Sequence, residues 1–288
     1  MFSQSAEPAA RPKSAGRLAS LTSWLSRLTR ERATTVPYYL MIPTALFLIV
    51  VVLVPFFLGL YVSLTNLNQY TIANWLHAPF VGLANYVAAL TQPGAVSASF
   101  PQSIWASVSF ALFTTVAIVP ISIVGALMMD AEFPGRGFFR SLFLIPYVIP
   151  TFVNAIIWRL IFINNYGLAD RVLPLVGLGT PSDFWLIGPR TFWAMVIADV
   201  WASWPFVYLM VLAALQSVPQ EVEDAAEIDG AGVTARFFGI TLPLIQPTLT
   251  LAILLSTIGH FNNFTLPFVL FGTPPPPAVD VLPITVYI

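Results

Sequence analysis

Polar side chains interrupt three otherwise apolar stretches of this 288-residue chain. Tyr147 and Thr151 in PYVIPT are four residues apart, which predicts one shared helical face. The runs DVWASWP and FNNF contribute the other candidate binding residues: Asp199, Trp201, Ala202, Ser203, Asn262 and Asn263. Amides, hydroxyls and a carboxylate can pair with sugar hydroxyls, and aromatic rings stack on the C–H faces of a sugar. Alternatively, each group makes hydrogen bonds between packed helices.

A separate acidic segment lies between two apolar runs, at residues 216–247. It holds five of the thirteen acidic residues, and Pro219 suits the first turn of a helix that contains Asp224. Gly230 can end that helix in the left-handed conformation, and a second short helix is expected from 235 to 240, stopped by Pro243. The small pair Ala225 and Ala226 would let another surface approach closely. The segment therefore predicts a docking site, or else an ordinary solvated loop.

The composition is that of a polytopic membrane protein. Hydrophobic residues make up 57% of the chain and charged residues 9%, and the mean hydropathy is +0.82; soluble domains have about 25% charged residues. There are no cysteines, and His77 and His260 are far apart, so a metal site is not expected. A net charge of −1 gives no indication of nucleic-acid binding.

Five apolar stretches are long enough to cross a membrane, since about 20 apolar residues suffice. They are predicted at Tyr38–Ser63, Ser103–Met129, Phe138–Ile163, Thr191–Leu215 and Thr248–Phe271, with an external loop of short helices after the first. Prolines within these stretches are expected to break helices and free carbonyls: Pro120, Pro146, Pro150, Pro205 and Pro267. Asp199 and the paired asparagines each lie eight or nine residues from the external end of their spans, which predicts a common depth.

Lysine and arginine indicate the orientation of the chain. Residues 1–35 are predicted to be a cytoplasmic tail, because six basic residues precede the first span. Within the tail, residues 17–32 have the leucine stripe and arginines of a helix lying on the membrane surface. Five alternating spans then place residues 216–247 inside as well, whereas Arg171 and Arg190 fall outside.

The acidic segment resembles the EAA loop of binding-protein-dependent ABC importer permeases. D-A-A at 224–226, a glycine four residues later and I-T-L-P at 240–243 match that pattern, except that aspartate replaces the first glutamate. In this family the loop is a coupling helix that contacts a cytoplasmic ATPase. The resemblance implies this role for Glu223, Asp224, Ala225, Ala226, Gly230, Ile240, Leu242 and Pro243.

The three polar groups resemble the sugar site of the larger permease subunit of maltose-type importers. PYVIPT is similar to its P-Y-x-x-P-S, DVWASWP to its N-x-W-L-G-Y-P, and FNNF is shared. The resemblance covers about residues 36–288 and implies an all-α, type I importer transmembrane domain that includes the loop at 216–247. Such permeases have a further span after a segment like the one that ends this chain, so a sixth span is expected.

The resemblance also implies partners: a second permease subunit, two ATPase subunits and an extracytoplasmic sugar-binding protein, at a bacterial inner membrane. No cofactor is expected in this chain, because it lacks a P-loop motif and ATP with its Mg²⁺ would be bound by the ATPase. The alternative is a secondary transporter or channel for a small polar solute. A membrane enzyme would need a nucleophile–base or metal cluster, and the sequence shows no H-E-x-x-H motif or His/carboxylate grouping.

The predicted topology can be tested at Ser20. In the Ser20→Cys variant, the new thiol should resist an impermeant maleimide added to intact cells, because residues 17–32 are expected on the inner surface. The same thiol should react after the cells are permeabilised. Ready labelling of intact cells would reverse the topology and place residues 216–247 outside.

Overall fold

A computed structural model of the chain describes residues 36, 38–91, 95–177 and 184–287. The predicted tail and its surface helix at 17–32 lie outside these residues. Helices are the regular elements of the described part, together with one isolated antiparallel bridge between Thr65 and Phe80. The predicted all-α class is therefore confirmed.

The chain divides into two compact units, residues 1–87 and 88–288. In the first unit, helix α1 is Tyr38–Ser63, which includes a π-helical turn at Ile49–Leu53. A 3₁₀ helix at Ile72–His77 follows, and α2, Ala84–Thr91, begins at the end of the unit. The Asn85 amide donates to the carbonyls of Ser63 and Thr65, at 2.9 and 2.8 Å, and so fixes the connection. The short helices predicted after the first span are present.

The second unit is a helical bundle with short helices between its long ones. The long or paired elements are α3 (Ala95–Asp130), α4 (Arg136–Val148), α5 (Thr151–Phe162), α7 (Thr191–Leu215) and α9 (Val233–Phe261). The short elements are α6 (Leu168–Val172), α8 (Gln220–Ile228), α10 (Thr265–Phe271) and α11 (Leu282–Tyr287), with 3₁₀ turns at Pro174–Val176 and Pro277–Val279.

Helix α7 lies at the centre of this bundle, where it packs against α3, α4 and α9. One apolar cluster surrounds the fully buried Tyr208 and includes Ile118 and Ile245. A second cluster surrounds Phe110 and Met195 and is completed by residues of α10 and α11. The cluster around Met195 contacts the first half of α7 and the cluster around Tyr208 contacts its second half. Asp199 lies on α7 between these two residues.

Four helices of the described residues are long and apolar enough to span a membrane, and α4 with α5 makes a fifth if that bent pair counts as one span. The third predicted span is not straight, because α4 and α5 meet at 89°. Ile149 and Pro150 are extended there, with ψ of 126° and 138°. Proline disfavours helical backbone in the residue before it, which explains the break.

The fifth predicted span is also interrupted, at residues 262–264 between α9 and α10. The prediction that Pro243 stops a short helix is wrong, since α9 runs through it. Pro243 lies in the first turn of Leu242–Phe261, directly after a π-helical turn at Phe237–Thr241. A proline costs little there. Pro120, Pro146 and Pro205 also lie inside continuous helices, so the expectation that they break them is wrong.

Candidate functional site

A cavity of about 500 Å³ opens where the two helix breaks face α7. One wall is the α4–α5 break, one is the middle of α7, and one is the α9–α10 break. Seven of the eight predicted binding residues line it: Tyr147, Thr151, Asp199, Ala202, Ser203, Asn262 and Asn263. The sequence thus identified residues from three separate helical regions that the fold brings to one place.

The α4–α5 wall differs from its prediction. Tyr147 is in the last turn of α4 and Thr151 is the first residue of α5, so they do not share a helical face. Both nevertheless line the cavity, because the chain turns between them. The Tyr147 ring stacks on Phe206 of α7, with centroids 6.2 Å apart and an angle of 28°.

On α7, Asp199, Ala202, Ser203 and Phe206 follow the i, i+3, i+4, i+7 spacing of one helical face. The Ser203 hydroxyl donates to the Asp199 carbonyl at 2.6 Å. Trp201, two positions from Asp199, points to another side of the helix. It packs edge-on against Trp158 of α5, at 6.1 Å between centroids, and is not among the residues that line the cavity.

At the α9–α10 break the two asparagines do different things. Asn263 Nδ2 donates to Asp199 Oδ1 at 3.0 Å, and Asn263 Oδ1 accepts the Leu266 backbone N–H at 3.2 Å. Asn263 therefore links α7 to the first turn of α10. Asn262 is exposed in the cavity, where its Nδ2 donates to the Ile258 carbonyl at 2.9 Å and its Oδ1 can accept from a ligand.

The Asp199 carboxylate is only 5% exposed and has a second close partner, His260. His260 Nδ1 lies 2.6 Å from Asp199 Oδ2, and both side chains are buried. From the sequence, His260 was expected only to be too far from His77 for a metal site. Its position three residues before Asn263 was the available signal, because polar residues at membrane depth are costly and need a partner.

The acidic segment forms the predicted helix and turn. Helix α8 begins after Pro219, has Glu221 and Glu223 in its first turn, and is followed by Gly230 at φ +79°. Asp224 comes after that first turn, and its Oδ1 accepts from Gln220 Nε2 at 3.2 Å. The ion pair between Arg236 Nη1 and Glu227 Oε2, at 2.7 Å, ties α8 to the start of α9.

The predicted coupling residues fall into two groups. Asp224, Ala225 and Gly230 are exposed and Glu223 is half-buried, whereas Ala226 is 8% exposed and therefore packs within this chain. Ile240, Leu242 and Pro243 belong to α9, where Leu242 packs against the core cluster around Tyr208. The exposed surface available to a partner is thus carried by α8, and the role of these residues stays a prediction.

Residues 118–287 match the family model described as "Binding-protein-dependent transport system inner membrane component". The chain is 33% identical over 256 residues to the trehalose/maltose transport system permease protein MalF of Thermococcus litoralis, covering 87% of this chain and 82% of that one. It is 30% identical over 255 residues to the sulfoquinovosyl glycerol transport system permease protein SmoG of Agrobacterium fabrum, covering 88% and 78%.

The fold is similar to a chain in the crystal structure of a bacterial ABC transporter involved in the import of the acidic polysaccharide alginate. The TM-score is 0.72 at 20% identity, over 91% of this chain and 86% of that one. The fold and the cavity between helix breaks define a membrane transport component. The chain belongs to the binding-protein-dependent transport system inner membrane component family, as the EAA-like loop predicted.

The link between α7 and the α9–α10 break can be tested with Asn263→Ala. The variant removes the Asn263 amide, which donates to Asp199 and accepts the Leu266 backbone N–H. Each hydrogen bond is worth on the order of 1 kcal/mol. We expect solute uptake per assembled complex to fall roughly tenfold or more, since both losses distort one cavity wall.

The matched control is Asn154→Ala. Asn154 is also buried and also bonds α7, with its Nδ2 3.3 Å from the Ala198 carbonyl, but it does not line the cavity. Uptake per assembled complex should stay close to the parent value in this control. Equal uptake in the two variants would mean that Asn263 only holds helices together.

Proposed function

We propose that this chain is the membrane-spanning permease subunit of an ABC importer that translocates a sugar of disaccharide or oligosaccharide size. The observation that carries the proposal is the cavity of about 500 Å³, which combines hydrogen-bonding groups with an aromatic surface. Cavities of roughly 300–1,000 Å³ are typical of small-ligand sites. The transport systems named for the two relatives, one for trehalose and maltose and one for sulfoquinovosyl glycerol, support a glycan as cargo.

The groups of the cavity suit a sugar in two ways. The stacked rings of Tyr147 and Phe206 offer an apolar face for sugar C–H groups. Thr151 and Asn262 offer a hydroxyl and an amide that can donate and accept, and the Ser203 oxygen can accept while its hydrogen is bonded to the Asp199 carbonyl. Asp199 differs from these groups, because its Oδ1 accepts from Asn263 and its Oδ2 lies against the His260 ring.

The charge of the cavity favours an uncharged sugar. Among its lining residues in the described part of the chain, Asp199 is the acidic residue and none is lysine or arginine. An acidic sugar would therefore enter a cavity wall without a counter-charge, which is unfavourable in a desolvated site. The cargo we propose is thus closer in charge to the trehalose and maltose named for one relative than to sulfoquinovosyl glycerol, an anionic sulfonate, or to the acidic polysaccharide alginate.

The importer we propose has the partners that the family resemblance implies. An external binding protein delivers the sugar, this chain pairs with a second permease, and two cytoplasmic ATPase subunits bind ATP and Mg²⁺. With a cytoplasmic N-terminus, α8 faces the ATPase, and its movement on ATP binding shifts the bundle between inward- and outward-facing states. A structure of the alginate transporter with its periplasmic protein supports the first of these partnerships.

A secondary transporter or channel is the weaker alternative. It would need an ion-coupling group open to the pathway, and the buried Asp199 is engaged by Asn263 and His260. It would also leave the exposed acidic surface of α8 without a role.

Uptake by the assembled importer tests the function directly. Cells that express the chain with its partner subunits should accumulate radiolabelled trehalose or maltose in an ATP-dependent manner, and should not accumulate alginate oligosaccharides. Uptake of the acidic oligosaccharide alone would contradict the uncharged cargo. Absence of uptake for every sugar tested, by a complex shown to be assembled, would contradict sugar import.

The coupling role of α8 can be tested with Asp224→Lys. We propose that the acidic α8 contacts a basic surface of the ATPase, and an exposed lysine at position 224 would repel that surface. We therefore expect loss of assembly or of sugar-stimulated ATP hydrolysis. Asp229→Lys is the control, since it makes the same charge change at the end of α8, outside the D-A-A motif. Normal assembly and normal stimulated hydrolysis in Asp224→Lys would argue that α8 does not contact the ATPase.

A further inference from the structure

His260 is a buried, titratable side chain that does not line the cavity but lies directly behind it. It occupies the last turn of α9, two residues before the exposed Asn262, and is 5% exposed. Its ring meets Phe110 edge-on, with centroids 6.2 Å apart. Nε2 is buried without a hydrogen-bond partner, whereas Nδ1 lies 2.6 Å from Asp199 Oδ2. The polar interaction of this ring is thus directed at one carboxylate.

Asp199 requires such a partner because it is buried in an apolar bundle. A carboxyl group without polar partners is costly to bury, so removing a close polar neighbour disturbs its surroundings. Asn263 supplies a donor to Oδ1 and His260 lies against Oδ2. Oδ2 makes no hydrogen bond within the described residues, so the close approach of the His260 ring is its polar contact, while the Asn263 amide is bonded to Oδ1.

The engaged carboxylate also determines which way the Asn263 amide points. Asn263 Nδ2 donates to Asp199 Oδ1, which directs the amide oxygen of Asn263 away from the carboxyl group. Its Oδ1 then faces the other way and accepts from Leu266 N, at the first turn of α10. Four successive residues of this break, 262–265, line the cavity. Their placement therefore depends on a chain of contacts that begins at His260.

We propose that His260 is a positioning residue for sugar binding, acting through Asp199 on Asn263 and the α9–α10 break. The inference rests on the sugar-import function proposed above. It assigns Asp199 mainly to the ordering of the cavity wall, while Asn262, Tyr147 and the hydroxyl groups meet the sugar.

The test measures the Kd of radiolabelled trehalose for the purified, fully assembled complex, in the absence of the binding protein. His260→Phe keeps a ring beside Phe110 but removes Nδ1, and we expect the Kd to rise on the order of tenfold as Asp199 and Asn263 rearrange. His260→Gln keeps a side-chain donor and should bind within roughly threefold of the parent. An unchanged Kd in an assembled His260→Phe complex would overturn the proposal.

The matched control is Thr257→Val. Thr257 is one turn earlier on α9, and its Oγ1 lies 3.2 Å from Thr115 Oγ1 on α3, away from the cavity. The variant removes a contact between helices without touching the Asp199 chain, so its Kd should equal that of the parent. A rise equal to that of His260→Phe would show that any disturbance of α9 has the same effect, and would overturn a specific role for His260.

The double variant Asp199→Asn with His260→Phe tests whether His260 acts through Asp199 or has a general structural role. It also provides a result if His260→Phe alone does not assemble. Asp199→Asn replaces the carboxyl group that His260 Nδ1 contacts, so adding His260→Phe should change neither assembly nor the Kd further. An additional loss in the double variant would overturn the proposal. If the parent complex binds and imports none of the sugars tested, the proposed function fails, and this inference falls with it.

Discussion

A carboxylate buried in the middle of an apolar helix is the constraint on which the site depends. Asp199 lies on α7, the central helix of the bundle, and is 5% exposed. Polar partners therefore come to it from another element: the Asn263 amide donates to Oδ1 from the break after α9, and His260 at the end of α9 lies against Oδ2. The need to satisfy one charge thus brings an irregular segment of backbone against α7. Irregular backbone is tolerated at membrane depth where it lines a cavity or is buried in protein.

Helix α9 connects this site to the surface proposed for coupling. It runs without interruption from Val233 to Phe261, 29 residues, or roughly 43 Å at 1.5 Å per residue. Its first residues are tied to α8 by the Arg236–Glu227 ion pair, and its last turn carries His260. In the proposed transport cycle, a displacement of α8 by the ATPase reaches the cavity along one continuous helix. The ion pair is partly exposed and contributes little stability, so its role is geometric.

Much of this arrangement could be predicted from sequence, because membrane proteins limit where polar residues can lie. Asp199 and Asn263 were placed at one depth from residue counts alone, and they are in contact. The EAA-like pattern identified the family, and Gly230 was expected at a left-handed position, where it lies. These successes depend on local spacing and on the cost of burying polar groups.

The rest depended on how helices break and rotate, which local patterns do not determine. Thr151 was assigned to the face of Tyr147, but the extended Pro150 separates them into two helices. Trp201 was grouped with its neighbours, although a helix turns about 100° per residue and directs it toward Trp158. His260 was missed as a partner of Asp199 because the contact joins residues 61 positions apart, and it forms only once α9 is packed.

In the importer we propose, the cavity between the two helix breaks holds the sugar during transport. Photo-crosslinking of the assembled complex with a photoreactive trehalose analogue, followed by peptide mass mapping, tests it most directly. The account predicts labelling within residues 146–151, 199–206 or 255–265, abolished by excess unlabelled trehalose. Competable labelling confined to the second cavity, which is lined by Gln102, Trp105 and Phe113, would contradict it.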